Sequence, residues 1–487
     1  MTEKGPAAAG RTGQMSDTRP ILYWLRRDLR LSDHPGLSAA AETGRPVIPV
    51  FLADEIVEGY GACPKWRLGL AVESFAGRLE GIGTRLILRR GPALATLRAL
   101  VEETGAGAVW WSRVYEPDGT ERDRKVKAAL EDDSLDVQSF PGHVLFEPWT
   151  VATGTGGYYK VFTPFWRKVR DRGVAPPLGA VGTLAAPQDW PRSDRLEDWD
   201  LGAAMDRGAA VVAPHLTVGE EAAQGRLGAF AAHRIEDYPA ARDRPGVDGT
   251  SGLSENLTYG EISIRACWHT GMRAQEEGKA GAPTFLKELV WRDFAYHLAF
   301  HTPRLLRSNW REEWEAFPWN EDEHRSDVIA WKRGRTGIPF VDAAMRELYA
   351  TGRMHNRGRM VVASYLTKHL MCHWRIGQRW FEDCLADWDP ANNALGWQWS
   401  AGSGPDASPF FRVFNPVTQL DRFDPDHTYP TMWIAEGQED PPDTALSYFE
   451  AIPRNWSISP DDAYPEPIIA PKDGRARALA AYENRDF

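Results

Sequence analysis

The stretch DWDPANNALGWQW, Asp387 to Trp399, concentrates groups able to act on a bound ring system. Two carboxylates two residues apart, adjacent Asn392 and Asn393, and Trp397 and Trp399 flanking Gln398 make a poor core, because burial would leave many polar groups to satisfy. In a pocket, a carboxylate accepts the ring N–H of a heterocycle while an Asn amide faces a second ring nitrogen. A Trp beside them stacks or passes an electron. The plain alternative is a polar loop with incidental Trp.

Three further clusters carry chemistry. In GRMHNRGRMVVASYL, Gly352 to Leu366, helical spacing puts Asn356 and Met360 on one face and Arg353 and Arg357 on an adjacent one. Arg359 is a candidate partner for Asp387, a charge-assisted pair able to steady the electronics of a bound ring. A solvated basic helix start is the bland reading. In LKELVWRDFAYHL, Leu286 to Leu298, Glu288, Trp291 and Arg292 suit an acid and an aromatic platform facing one ligand. In GTSGLSENL, Gly249 to Leu257, backbone N–H groups and hydroxyls suit a phosphate, although most such turns merely cap helices.

The elements that position these clusters fall into two kinds. From Ile21 the chain alternates strands and helices: Ile21–Leu25, a helix over Gly36–Thr43, Pro46–Leu52, a helix over Trp66–Glu80, Arg85–Gly91, a helix near Ala93–Glu103, and Ala108–Ser112. That rhythm predicts a parallel sheet with right-handed crossovers. No GxGxxG follows the first strand, so the dinucleotide fingerprint is absent. From Gly142 to Gly219 the pattern decays into Gly- and Pro-rich connector. Spacing of three and four then predicts helices over Glu220–Ala232, Tyr259–Gln275, Thr284–His301, Val341–Tyr349, Arg359–Trp374 and Gln378–Asp387. A less regular tail from Pro416 closes on a helix over Gly474–Tyr482.

At 487 residues the chain has room for two or three domains. No apolar run reaches the length of a membrane helix. Met1 to Pro20 has no apolar centre and reads as a disordered leader and not a signal peptide. Cys63, Cys267, Cys372 and Cys384 lack metal-ligand rhythm, which fits a reducing cytoplasm and no metal. The net charge of −11 weighs against a nucleic-acid partner, yet the cations from Arg353 to Arg359 allow a local basic patch. The 21 tryptophans read first as aromatic core.

Taken together, TSGLS, ELVWRDF, TGIPFVDAAMREL, MHNRGRM, NNALGWQW and PFFRVFNP, with YWLRRDLRLSDHPGL at the start, resemble the class I photolyases of the photolyase/cryptochrome family, from about Ile21 to the mid-470s. The resemblance implies an α/β N-terminal domain with a Rossmann-like parallel sheet and an all-α C-terminal FAD-binding domain. The expected division is a leader over 1–19, an antenna domain over 20–141, a connector over 142–219 and a catalytic domain over 220–487. Tyr238 and the turn Thr250, Ser251, Gly252, Leu253 and Ser254 match positions that hold the FAD phosphates. Arg292, Asp387, Asp389 and Arg359 match cofactor positions, and Asn393 falls where the family faces flavin N5. Trp397, Trp374 and Trp319 match a tryptophan wire from FAD to the surface. Trp291 and Trp399 match the aromatic walls around a flipped pyrimidine dimer, with Glu288, Asn356 and Met360 as further contacts. Arg242, Arg357, Arg412 and Gln419 resemble the set that clamps the DNA backbone. The implied activity is light-driven repair of cyclobutane pyrimidine dimers, by electron injection from photoexcited FADH⁻ and return of the electron. The expected partner is UV-damaged DNA, with no membrane and a monomeric protein.

Two positions depart from the pattern. Class I enzymes usually carry Trp just before MHN, and Arg353 occupies that place, where the extra cation either strengthens phosphate contact or loosens an aromatic wall. The folate region lacks its usual Asn-Glu and reads YEPDGTERD, Tyr115 to Asp123, which leaves a folate or deazaflavin antenna open. A (6-4) photolyase would carry His at positions 356 and 360, and neither is His. A cryptochrome photoreceptor is the alternative from another class, and about 70 residues after Pro416 provide no long signalling tail.

Overall fold

Unbroken apolar runs become strands buried on both faces, as a parallel sheet requires. The computed structural model describes residues 17–487. Ile21–Leu25 (β1), Val47–Ala53 (β2), Ile87–Arg90 (β3), Ala108–Ser112 (β4) and Asp136–Phe140 (β5) form one parallel sheet in the order β3-β2-β1-β4-β5. The helix Pro117–Asp132 and β5 were not anticipated, because β5 lies at an edge and alternates polar residues. Most of the expected leader lies outside the described residues. From Asp17 onward it is laid against the sheet, where Arg45 donates to the Arg19 carbonyl at 2.8 Å.

The connector is less idle than its composition implies. Its helix Phe162–Val169 buries Phe162, Phe165 and Val169 against the helical region. Three expected helices are cut differently. Tyr259–Gln275 is two elements, Ser254–Tyr259 and Ile264–Glu276, broken at Gly260 in the left-handed region at φ +70°. Arg359–Trp374 becomes the helix Asn356–Ser364 and a π-turn Tyr365–His369. Met371, at φ 51°, then turns the chain so that Trp374 opens the next helix, Trp374–Cys384, in place of Gln378–Asp387. No helix among the described residues is long and apolar enough to cross a membrane.

The helix Pro390–Ala401 sits between two hydrophobic cores. Ala391 and Leu395 belong to one, with Phe162 and Phe294; Trp397 and Ala401 belong to the other, with Trp331 and Trp374. Two buried faces on one helix blur the apolar spacing, so periodicity does not reveal it.

The sheet is seated on the helices by the segment leaving β1. Arg27 Nε donates to the Thr258 carbonyl at 2.7 Å, Arg30 Nη1 to that of Gly260 at 3.0 Å, and the Leu29 N–H to that of Tyr259 at 3.2 Å. A Cβ on Gly260 would run into the Arg27 carbonyl. Gly260→Ala therefore combines a disfavoured φ with a backbone collision, at a cost of about 2 kcal/mol or more. A lowered thermal midpoint checks this; an unchanged one would show that the junction yields freely.

Candidate active site

The helix Pro390–Ala401 opens one stripe away from both cores. Asn392, Asn393 and Trp399 are half-buried there and Gly396 is exposed, with no atom within 4 Å of where its Cβ would stand. A planar ligand can lie against bare backbone at such a position. Asn393 Nδ2 donates to the Gln378 carbonyl at 3.1 Å, which fixes the plane of its amide. Asp389 caps the helix: its Oδ1 accepts from the Asn392 N–H at 2.9 Å and from Asn392 Nδ2 at 3.0 Å, while Oδ2 accepts from the Tyr296 hydroxyl. Burial pushes the Asp389 carboxyl up, but Arg27 and Arg292 outweigh it and hold it below its ordinary range. Asp389 thus positions the helix with both oxygens engaged. Asp387 is joined to Arg359, whose Nη2 donates to both carboxylate oxygens at 2.9 and 2.8 Å.

Beside this floor, the Trp291 indole lies flat on Phe162, with centroids 3.8 Å apart and planes 8° apart. Asn356 and Met360 meet on one helix face, Nδ2 to Sδ at 3.9 Å. Other expected contacts are engaged with each other. Glu288 pairs with Arg242, two groups assigned to different ligands. Arg357 pairs with Asp243 at 2.7 Å and stacks over Phe423 at 4.0 Å. Arg412 is exposed beside Phe411, and Gln419 is half-buried on the helix Pro416–Phe423. Arg292 does not share the face of Trp291: consecutive helical positions point about 100° apart, and its Nη1 donates to the His143 carbonyl at 2.6 Å.

Tyr238 is buried against Phe230, with Arg242 over its ring at 5.5 Å. The turn Thr250–Ser254 bends through Gly252 at φ +63°, buries Leu253 and runs into the helix Ser254–Tyr259. Arg226 donates to the Gly252 carbonyl.

Trp397 and Trp374 are buried in one core, with Trp374 Nε1 on Asn309 Oδ1 at 2.8 Å. Trp319 does not emerge at the surface as the wire's end should. It is 7% exposed, its Nε1 donates to the Thr367 carbonyl at 2.8 Å, and Trp314 stacks on it at 5.6 Å. The C-terminal helix Pro471–Glu483 brings Tyr482 over the same cluster, stacked on Phe410 at 5.4 Å.

Sequence reasoning missed Phe162, Asn309 and Tyr296. The aromatic run VFTPFW was the available signal for Phe162, masked by the Gly-rich stretch before it. In the α/β domain, the ends of β1 and β4, where such folds seat nucleotides, carry buried side chains that pair with one another. Arg26 and Arg122 lie over Trp24 at 4.5 and 4.7 Å and pair with Asp123 at 2.9 Å and Asp54 at 2.6 Å. Tyr115 and Glu116 are buried as well.

Residues 21–181 match the family model described as DNA photolyase, and residues 285–484 the one described as FAD binding domain of DNA photolyase. A deoxyribodipyrimidine photo-lyase of Agrobacterium fabrum is 43% identical over 471 residues, 96% of this chain and 98% of that protein. A crystal structure of a bacterial class III photolyase from Agrobacterium tumefaciens superposes with a TM-score of 0.88 at 40% identity, covering 97% of this chain and 99% of that one. A cryptochrome of Synechocystis sp. PCC6803 superposes with a TM-score of 0.82 at 27% identity, covering 96% and 100%.

Phe162 supplies the only ring stacked flat on Trp291 among the described residues. Phe162→Ala is expected to cost about 3 kcal/mol and to release the connector. Limited trypsin digestion should then cut at Lys160 or Arg167, where the parent protein resists; equal resistance would show that the connector is held by other contacts.

Proposed function

The chain belongs to the photolyase/cryptochrome family, its C-terminal region being an FAD-binding domain, and from that premise we propose that it repairs cyclobutane pyrimidine dimers in DNA under blue light. The observation that carries the reading is the open stripe of Asn393, Gly396 and Trp399 on the helix Pro390–Ala401, against which pack the helix that carries the backed Trp291 ring and the helix whose Arg359 holds Asp387. A flat ring system fits against Gly396, the Asn393 amide is fixed to meet a ring N–H, and Arg359 holds Asp387 in place beside it. When bound, reduced FAD supplies the electron that opens the cyclobutane ring and takes it back. The residues supply geometry: Trp291 and Trp399 give a flipped dimer two aromatic surfaces, and Asn356 and Met360 line the approach. Arg242, Arg357, Arg412 and Gln419 serve the DNA backbone in this reading, with Arg412 the exposed member. The motifs resemble class I, while a class III structure is 40% identical over nearly the whole chain and Arg353 departs from class I. We read the chain as nearer class III.

Reduced protein illuminated with dimer-bearing oligothymidine should restore absorbance near the thymine band, and darkness should not. Binding of the lesion without light-dependent repair would move the chain to the photoreceptor reading. A second experiment separates repair from activation. Repair returns its electron, whereas in this reading photoreduction of oxidised FAD draws outside electrons through Trp397 and Trp374. Trp374→Phe keeps a ring but is much harder to oxidise, and it leaves Asn309 without its partner at a cost of about 1–3 kcal/mol. The variant should photoreduce far more slowly with an external thiol, yet repair dimers nearly as well as the parent after dithionite reduction. Photoreduction at the parent rate would place the route elsewhere.

A further inference from the structure

Arg353, the cation that departs from the class I motif, turns inward. Its Nε and Nη2 donate to Glu255 Oε2 at 3.0 and 2.6 Å, and its side chain is 32% exposed. Glu255 is fully buried, and its other oxygen accepts from the Thr217 N–H at 2.6 Å. Two more guanidinium groups share this cluster. Arg67 is taken up by Glu261, Nη1 to Oε1 at 3.0 Å and Nη2 to Oε2 at 2.7 Å. Arg226 keeps only a longer approach to Glu255, at 3.6 Å, and otherwise binds neutral acceptors: the Gly252 carbonyl, Thr217 Oγ1 and Asn256 Oδ1.

Three cations, Arg67, Arg226 and Arg353, reach two carboxylates, Glu255 and Glu261; beyond them Arg234 is paired with Asp248, and Glu347, which feels Arg353, is pushed up by burial to about 7. One positive charge is in surplus, in a largely buried place where unbalanced charge is costly. With Trp at position 353 the count would be two against two, and Glu255 would serve Arg226. Burial, with Arg353 adding to it, pulls the Arg226 guanidinium down to about 10, so it stays charged at neutral pH. The surplus lies against the Thr250–Ser254 turn, which Arg226 touches at Gly252.

We propose that Arg353 is a positioning residue for the cofactor and not a DNA contact: by occupying Glu255 it leaves the charge of Arg226 to balance the diphosphate of FAD at the Thr250–Ser254 turn. This rests on reading that turn as the diphosphate seat. The same bond ties the turn to the strap that leads into the helix Asn356–Ser364, and so couples cofactor seat to lesion face.

The test is titration of full-length apoprotein with FAD, followed by flavin fluorescence, beside the salt dependence of lesion-DNA binding by the FAD-loaded protein. Arg353→Gln and Arg353→Trp should weaken FAD binding roughly ten-fold, the size of a charge removed at moderate distance. Arg353→Lys should restore it. Glu255→Gln breaks the same ion pair but adds net positive charge, so it should bind FAD as tightly as the parent or tighter; weakening there would reduce Arg353 to a structural brace and overturn the proposal. Parent-like FAD binding by Arg353→Gln, with the salt slope for DNA lowered by about one, would overturn it in favour of a phosphate contact. Thr250→Ala and Ser254→Ala report on the underlying reading: if both keep parent affinity for FAD, the diphosphate lies elsewhere, whatever Arg353 does. If they weaken binding and Arg353→Gln does not, the seat stands and the role given to Arg353 falls.

Discussion

The turn Thr258–Gly260 is where the molecule is joined. Its three carbonyls accept from Arg27, Leu29 and Arg30, which seats the sheet on the helices. Its side chains reach the other way: Thr258 Oγ1 donates to the Asp387 carbonyl at 3.2 Å and the Tyr259 hydroxyl to the Ala386 carbonyl at 2.8 Å. Asp387 in turn holds Arg359 and hence the helix Asn356–Ser364. One tight turn therefore sets the distance between the α/β domain, the acidic loop and the basic helix. Only a glycine permits it, because backbone of the other domain lies where a Cβ would stand.

The second constraint is electrostatic. The chain is acidic overall, yet the cations assigned to DNA are not spread on an acidic surface. Arg242 and Arg357 are each held by a carboxylate near the site, Glu288 and Asp243. Such pairs keep side chains ordered and lower the field that a polyanion meets. A DNA phosphate drawn to Arg242 or Arg357 competes with a neighbour already in place, so net charge is a poor guide to the partner of this protein. The proposal that Arg353 serves the cofactor follows the same rule, since its charge is spent on a buried carboxylate.

The aromatic content divides by environment. Trp24 and Trp111 pack the sheet, Trp331, Trp374 and Trp397 fill the core behind the Asn393 helix, and Trp291 and Trp399 remain half-buried at the open stripe. All of the first five are buried core, and two of them, Trp374 and Trp397, also carry the electron route in our reading. The last two are the ones whose position a packing argument leaves unexplained, and in our reading they face the dimer.

Local chemistry in the sequence determined four of the five sheet strands, most helices of the C-terminal half and the identity of the polar clusters, because apolar period and motif spacing are properties of neighbours along the chain. The pairing of Arg359 with Asp387, 28 residues apart, was legible only as a candidate from opposite charges in two motifs and from the family resemblance, not from local spacing. Tertiary structure decided the rest. It broke the expected helix at Gly260 and placed Pro390–Ala401 between two cores, a role that erases the one-sided pattern by which helices are read. It sent Arg292 to His143, paired Glu288 with Arg242, and covered Trp319 with Phe410. Each of these depends on a partner more than 40 residues away, and a side chain's choice among such partners is settled by burial and charge balance that no local spacing encodes.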